Sequence, residues 1–167
     1  VQVDLVEKEW AKLTDADKNA LVANEEVALD PSVYNTGNTD AVVFVSVKTP
    51  VQYVAVADLE GRSQYGYDAD NKPAKATTEL VVLKTSDIPA EDVGVAGINT
   101  GWTELENEGY YTDADGNVMT KEAVAAALEA DPDSLDYSHV RIYGYTEKLA
   151  ANAQTPTVFD KVQVANI

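Results

Sequence analysis

Short apolar runs recur along the whole chain, each closing on turn-forming Gly, Pro, Asn or Asp. Val1-Gln2-Val3-Asp4-Leu5 alternates apolar with polar, and Ala41 to Val47 is nearly continuous Val and Phe. Val51 to Ala57, Glu79 to Lys84, Gly101 to Leu105, His139 to Tyr145 and Thr157 to Val164 follow the same habit. Segments this short, alternating or continuous, read as strands. One stretch keeps a helical pattern: Lys121 to Ala130, with Thr120 as N-cap, Glu122 in the first turn and Asp131-Pro132 as the stop. Val outnumbers Leu 23 to 11, and β-branched side chains suit a pleated surface better than a helix. About eight to ten strands with a single helical excursion predict a mainly β chain, an antiparallel β-sandwich or jelly roll, with a barrel as the alternative closure. A parallel α/β sheet would need several crossover helices.

The turn signals refine this outline. Glu9 to Leu21 reads as irregular or briefly helical around Trp10 and the polar turn Thr14 to Asn19. Glu26 to Tyr34 is extended, with Pro31 calling for an edge position or a bulge. Asn35-Thr36-Gly37-Asn38 predicts a hairpin into Ala41 to Val47, and that run reads as buried on both faces or set in a sandwich core. Residues 58–78 read as a long loop or weak hairpin, and 85–100, with Pro89, Gly94 and Gly97, as irregular. Tyr110-Tyr111 and Val118-Met119 flank a second hairpin turning on Asp115-Gly116. A length of 167 residues predicts a single domain over 1–167, in which 109–138 is an insertion carrying the helix at 121–130.

Twelve basic against 29 acidic residues leave a net charge of −17 and a pI near 4.1. Such a surface repels phosphate backbones and anionic membranes, so no nucleic-acid partner is expected. No apolar run approaches the roughly 20 residues of a spanning helix, so no membrane insertion is expected. At 45% hydrophobic the chain is too apolar to stay disordered. The absence of cysteine removes thiol chemistry, thiolate metal sites and disulfides. An acidic, cysteine-free composition rich in Val, Thr and Tyr fits a secreted bacterial surface protein. The first residue is Val1, not Met, and the expectation is that a leader has been removed.

Catalytic patterns are sparse. His139 is the sole histidine and reads as a half-exposed strand residue; no G-x-S-x-G elbow accompanies it, and H-E-x-x-H needs two histidines. No G-x-G-x-x-G or P-loop cradles a nucleotide. Paired carboxylates for a hydrolase carry no information among 29 acids. Asp-Ala-Asp occurs three times, at Asp15/Asp17, Asp68/Asp70 and Asp113/Asp115, with Asn19, Asn71 and Asn117 close behind. Oxygen ligands so spaced can gather around calcium, and Asp113, Asp115 and Asn117 are the best-placed candidates. None of the three continues as an EF-hand loop, and a solvated turn is the competing reading. No other cofactor is expected. The nine tyrosines include Tyr65/Tyr67 and Tyr143/Tyr145, spaced for one strand face, as a sugar-stacking platform or the rim of a core.

Ala28 to Val45, with its Asn35-Thr36-Gly37 turn, Asp40-Ala41 and Val-rich run, resembles the N-terminal signature of the TasA/camelysin family. These are proteins of Gram-positive bacteria released by a dedicated SipW-type signal peptidase. Tyr143 to Leu149 and Thr155 to Val162 resemble the family's closing segment, and Trp102 fits a tryptophan that precedes it. The sequence departs from the family at Ala23 to Glu26, where members carry Pro-Gly-Asp, and at 109–138. The resemblance implies a jelly roll outside the cell and a non-enzymatic biofilm-matrix or surface fibre subunit. Partners would be further copies or a homologous matrix subunit, joined by β-strand donation. Some members are called metalloproteases, a label the single His139 does not support. The alternatives are a secreted module binding glycan or protein and a carboxylate-dependent hydrolase.

Overall fold

The computed structural model describes residues 1–57, 60–86, 97–105 and 109–165, Asn19 in its backbone alone. In chain order its elements are β1 (Val3–Val6), α1 (Lys8–Lys12), α2 (Asp15–Asn19), β2 (Glu26–Ala28), β3 (Ser32–Asn35), β4 (Phe44–Val54), β5 (Ala76–Glu79), β6 (Val81–Lys84), β7 (Trp102–Glu104), β8 (Tyr110–Thr112), β9 (Val118–Met119), α3 (Lys121–Ala130), β10 (Ser138–Tyr145) and β11 (Lys161–Val164). All strand pairing is antiparallel. The chain is mainly β, as its patterning predicts.

Six strands make the larger sheet, in the order β5-β4-β10-β8-β9. β7 shares the far edge of β10, opposite Tyr143 to Tyr145, while β8 lies opposite Ser138 to Val140. The facing layer holds β2-β11-β6 and the β1-β3 pair. Its ladder continues across the break at Pro31, through Leu29 N to Asp160 O (3.2 Å), Val158 N to Pro31 O (2.8 Å) and Asn35 N to Ala153 O (2.9 Å). Proline, lacking an N–H, thus divides one long strand into two.

The register puts Val43, Val45, Val47, Thr49, Val51 and Tyr53 of the β4 stretch on one face, matched by His139, Arg141, Tyr143 and Tyr145 of β10. That face looks inward along its whole length and meets two apolar clusters. At one end Val43 and Tyr143 join Trp102, Val27, Leu83 and Phe159 in the sandwich core. At the other, Val51 meets Val124 and Leu128 of α3, with Tyr53, Tyr111 and Met119 around them. Val124 and Leu128, four apart and fully enclosed, are the apolar stripe that docks the helix. Thr120 caps it, accepting from Ala123 N at 3.1 Å, and the helix ends ahead of Asp131-Pro132. Helix and flanking hairpin lie where residues 109–138 were read as an insertion.

Several local expectations are corrected. Asn35 to Asn38 is not a hairpin turn, because β3 pairs with β1 and the chain then crosses to the opposite sheet. The glycine answers to space: a Cβ on Gly37 would lie 2.9 Å from Gln2 N. Thr36 N and Gly37 N both donate to Gln2 O, at 2.9 and 3.0 Å, so this turn grips the start of β1. Asn35 is fully buried; its Nδ2 reaches the carbonyls of Thr39 and Leu149 at 2.9 and 3.0 Å. Glu79 to Lys84 is not one strand: it bends at Leu80, sending β5 to one sheet and β6 to the other. Ala41 to Val47 buries one face alone, leaving Val42 and Phe44 65% and 59% exposed. Glu9 to Leu21 is briefly helical as expected, but Thr14 to Asn19 is not a turn: it is the second short helix, α2, with Thr14 as N-cap in a capping box with Asp17. Residues 60–75 show isolated bridges, Ala57 to Ser63 and Tyr67 to Pro73, in keeping with a weak hairpin, while 76–78 belong to β5. Most of the irregular 85–100 stretch, at 87–96, lies outside the described residues.

Candidate functional site

His139 is 3% exposed, which overturns its reading as half-exposed. β10 turns it inward with Arg141, and β5 brings Glu79 across from Val51 on the same face. Glu79 Oε1 lies 2.5 Å from His139 Nδ1, and Arg141 grips the same carboxylate with two nitrogens at 2.9 and 3.1 Å. Thr49 Oγ1 donates to Glu79 Oε2 at 3.0 Å. Arg141 Nε is 3.6 Å from Glu104, and the Tyr111 ring stacks on the imidazole at 4.4 Å. A carboxylate only accepts, so the proton of the Glu79 contact sits on Nδ1. Nε2 is turned toward Gly109, where an added Cβ would stand 2.9 Å away. The arrangement resembles the orienting half of a catalytic triad, with the Gly109 backbone close beside the Nε2 side of the ring. It forms a polar belt between the two apolar clusters. Burial, with Glu104 and Glu79 adding to it against Arg141, pushes the Tyr143 phenol up to about 12, so that neighbour stays neutral.

The sequence spacing His139-x-Arg141-x-Tyr143 already sets three side chains on one face. Glu79, Thr49 and Glu104 carry no comparable signal, since long-range register alone brings them in.

The three Asp-Ala-Asp segments fall into two structures. Asp68 to Lys72 and Asp113 to Asn117 build the same five-residue turn. In each, the first Asp Oδ1 accepts from the backbone N–H groups two and four residues on, at 2.9 to 3.0 Å. The fourth position is left-handed, at Asn71 (φ 59°) and Gly116 (φ 84°), which is why Asn and Gly stand there. Asn117 Nδ2 also donates to Asp113 Oδ2 at 2.9 Å, and its hydrogen bonds hold the Asp113 carboxyl below the ordinary range. Asp15 and Asp17 belong instead to α2, where Asp17 completes a capping box with Thr14. Among the described residues no group of three or more His, Cys, Asp or Glu side chains is placed to hold a metal ion.

The tyrosine pairs also divide. Tyr143 and Tyr145 face the sandwich core, Tyr145 tilted against Trp102 at 5.5 Å, while Tyr65 and Tyr67 are 44% and 57% exposed on the 60–74 loop.

A surface feature lies where β1 approaches β4. β4 pairs with β10 over Phe44 to Pro50, but its other edge is taken by β5 only over Val51 to Val54. Among the described residues the edge over 44–49 has no strand partner, and β1 is paired on one side only. Between them runs a groove of about 550 Å³, lined by Val1, Val3, Leu5, Val42, Phe44 and their neighbours. Val3 and Leu5 are 44% and 60% exposed there. Unpaired backbone beside apolar side chains is the chemistry that accepts an extended segment.

Fold and surface together define an antiparallel sandwich with an open strand edge. Comparison with known families, characterised proteins and solved structures finds no match to this chain. Among the described residues no helix is long and apolar enough to cross a membrane.

Proposed function

We propose that this chain is a non-enzymatic secreted structural protein, a biofilm-matrix or surface fibre subunit of the TasA/camelysin kind that assembles by strand addition. The observation that carries the reading is the open edge of β4 over 44–49, flanked by the apolar groove against β1. A strand laid there gains backbone hydrogen bonds along its length and seats alternate side chains in the groove. The partner is a further copy or a homologous matrix subunit outside the cell. A head-to-tail contact of this kind does not close on itself and extends into a filament. At −17 per copy, assembly is favoured by salt and by acidification toward the pI. Enclosure of the one imidazole against Gly109 supports the non-enzymatic part.

A secreted glycan-binding module is the second reading, favoured by exposed Tyr65 beside Glu79, Tyr111 and Lys121 in a cavity of about 210 Å³. Negative-stain microscopy and light scattering of the full chain, at raised salt and lowered pH, separate the two. Filaments that vanish in a Val3→Asp, Leu5→Asp variant support the fibre reading. A chain that stays unpolymerised under every condition and binds oligosaccharide in a calorimeter replaces it with the second.

A further inference from the structure

The larger sheet has an outward face, and its composition is unlike that of the rest of the chain. By register its outward positions are Phe44, Ser46, Lys48, Pro50 and their alternates on β4, with Ser138, Val140, Ile142 and Gly144 on β10. The same alternation on β5, β7, β8 and β9 adds Ala76, Thr78, Thr103, Tyr110, Thr112 and Val118. Across all six strands these positions hold no Asp or Glu, and Lys48 is their single charge. The chain as a whole has 29 acids in 167 residues. The outward positions of the three-stranded sheet, by contrast, carry Glu26, Lys84 and Lys161.

Toward the β4-β7 end this face is also apolar and open. Phe44 is 59% exposed, and Leu105, just past β7, is 50% exposed. They close over Gly144 from either side, since a Cβ there would meet Leu105 Cδ2 at 3.2 Å and Phe44 Cδ1 at 3.4 Å. The three residues form one ledge, continued by Val42. Covering large apolar side chains is favourable, so the ledge is a contact surface left uncovered in a single copy.

We propose that a second copy of this chain covers the ledge, sheet face against sheet face, in a two-fold dimer. Charge selects the occupant. Two copies at −17 repel wherever acidic surfaces meet, and the strand positions of this face set no carboxylate between them. A basic partner is drawn to the acidic remainder of the surface and gains nothing here. An isologous contact needs a patch complementary to itself, which a flat apolar ledge supplies. The contact shares Val42 and Phe44 with the groove but differs in mode: strand addition uses the backbone edge of β4, while the dimer uses outward side chains of β4, β7 and β10.

Sedimentation velocity on the full chain, from micromolar to millimolar at high salt, tests this. The expected result is a monomer–dimer equilibrium that Leu105→Asp abolishes without changing the circular dichroism or melting temperature. Lys48→Glu weakens the dimer at least about tenfold by placing a carboxylate on the face. Lys72→Glu, the same charge change on the exposed 68–72 turn, leaves it within about twofold. A wild-type chain that remains monomeric overturns the proposal, as does equal weakening by Lys48→Glu and Lys72→Glu. The groove variant Val3→Asp, Leu5→Asp separates this outcome from the fate of the fibre reading. A dimer that persists in it, while no condition yields filaments from the wild type, rejects strand addition and keeps the dimer.

Discussion

Each face of the six-stranded sheet departs from the usual arrangement at one place. Inward, between apolar clusters, it sets Glu79, Glu104, Arg141 and His139; outward, toward solvent, it sets Phe44, Val42 and Leu105. An antiparallel sheet covered on one side ordinarily alternates apolar-in with polar-out. The inward charges are paired: one carboxylate takes a bidentate guanidinium, an imidazole and a hydroxyl, and the second faces the same Arg at 3.6 Å, its buried Oε1 accepting no hydrogen bond among the described residues. The outward apolar residues have no such compensation within one copy. The contrast separates a face that specifies the fold, by a polar belt with one satisfactory register, from a face available for contact.

The inner face breaks most readily at its helix end. Leu128→Ala empties a fully enclosed site, and the expected loss is about 3 kcal/mol in urea-monitored stability. Trp10 and Trp102 both pack on the sandwich cluster and none on the helix cluster. Coincident fluorescence and helix-dichroism transitions in this variant show that the belt couples the two ends, and a helix transition that comes first divides them. Removing the belt's central acid by Glu79→Ala leaves Arg141 and His139 short of their shared acceptor. Since Glu79 and Arg141 are about a fifth exposed, the expected loss is about 2 kcal/mol, below that for a wholly buried pair. A Glu79→Ala variant as stable as the wild type would refute the structural role given to the belt.

A carboxylate in the opposite layer offers a smaller test. Burial raises the Asp160 carboxyl, but hydrogen bonds from Asn99, Thr157 and Ser86 outweigh it and leave its pKa lowered. A lowered folded-state pKa stabilises the fold above the ordinary carboxylate range, and that contribution is lost as pH falls through the folded value. Asp160→Asn therefore costs about 1 kcal/mol at neutral pH, after solvent screening. The deficit shrinks on acidification below about pH 4, where the wild type loses the same contribution. A deficit that stays constant with pH would assign the loss to packing alone. On the outward face the effect nearly vanishes: Phe44→Ser is expected to change monomer stability by less than about 0.5 kcal/mol, read by thermal melting in dilute solution.

How much of this was legible in the sequence follows from range. Thr120, Glu122 and Asp131-Pro132 mark the ends of α3 because capping is local chemistry. Strand existence was legible for the same reason, in the alternation of Val3 to Val6 and the β-branched run of β4. Partnership was not. The Asn35-Thr36-Gly37 turn looks like a hairpin until the position of Gln2 is known, and Leu80 carries nothing to announce a change of sheet. Glu79 lies 60 and 62 positions from His139 and Arg141, so His139 alone gave no hint of it. Ala41 to Val47 was legible in composition, and its outward half becomes intelligible once a second surface is supplied to cover it.

The smallest effect concerns the turns at the edge of the larger sheet. Calcium at Asp113, Asp115 and Asn117 would need several oxygens turned toward one point. Asp113 Oδ1 already accepts from Asp115 N and Asn117 N, and Oδ2 from Asn117 Nδ2. The lowered Asp113 pKa follows from those donors, first among them the Asn117 side chain, and requires no cation. The turn at Asp68 to Lys72 repeats the backbone bonds with Lys72 in place of Asn117, a residue that repels a cation. The same fold of the backbone thus forms with and without a full set of oxygen side chains, so its geometry is the product of Asx hydrogen bonding. Millimolar calcium is accordingly expected to move the melting temperature by less than about 1 °C, since stabilisation by mass action requires binding to the folded state. A calorimetric rise that Asp115→Ala removes would place calcium at this turn and overturn the expectation.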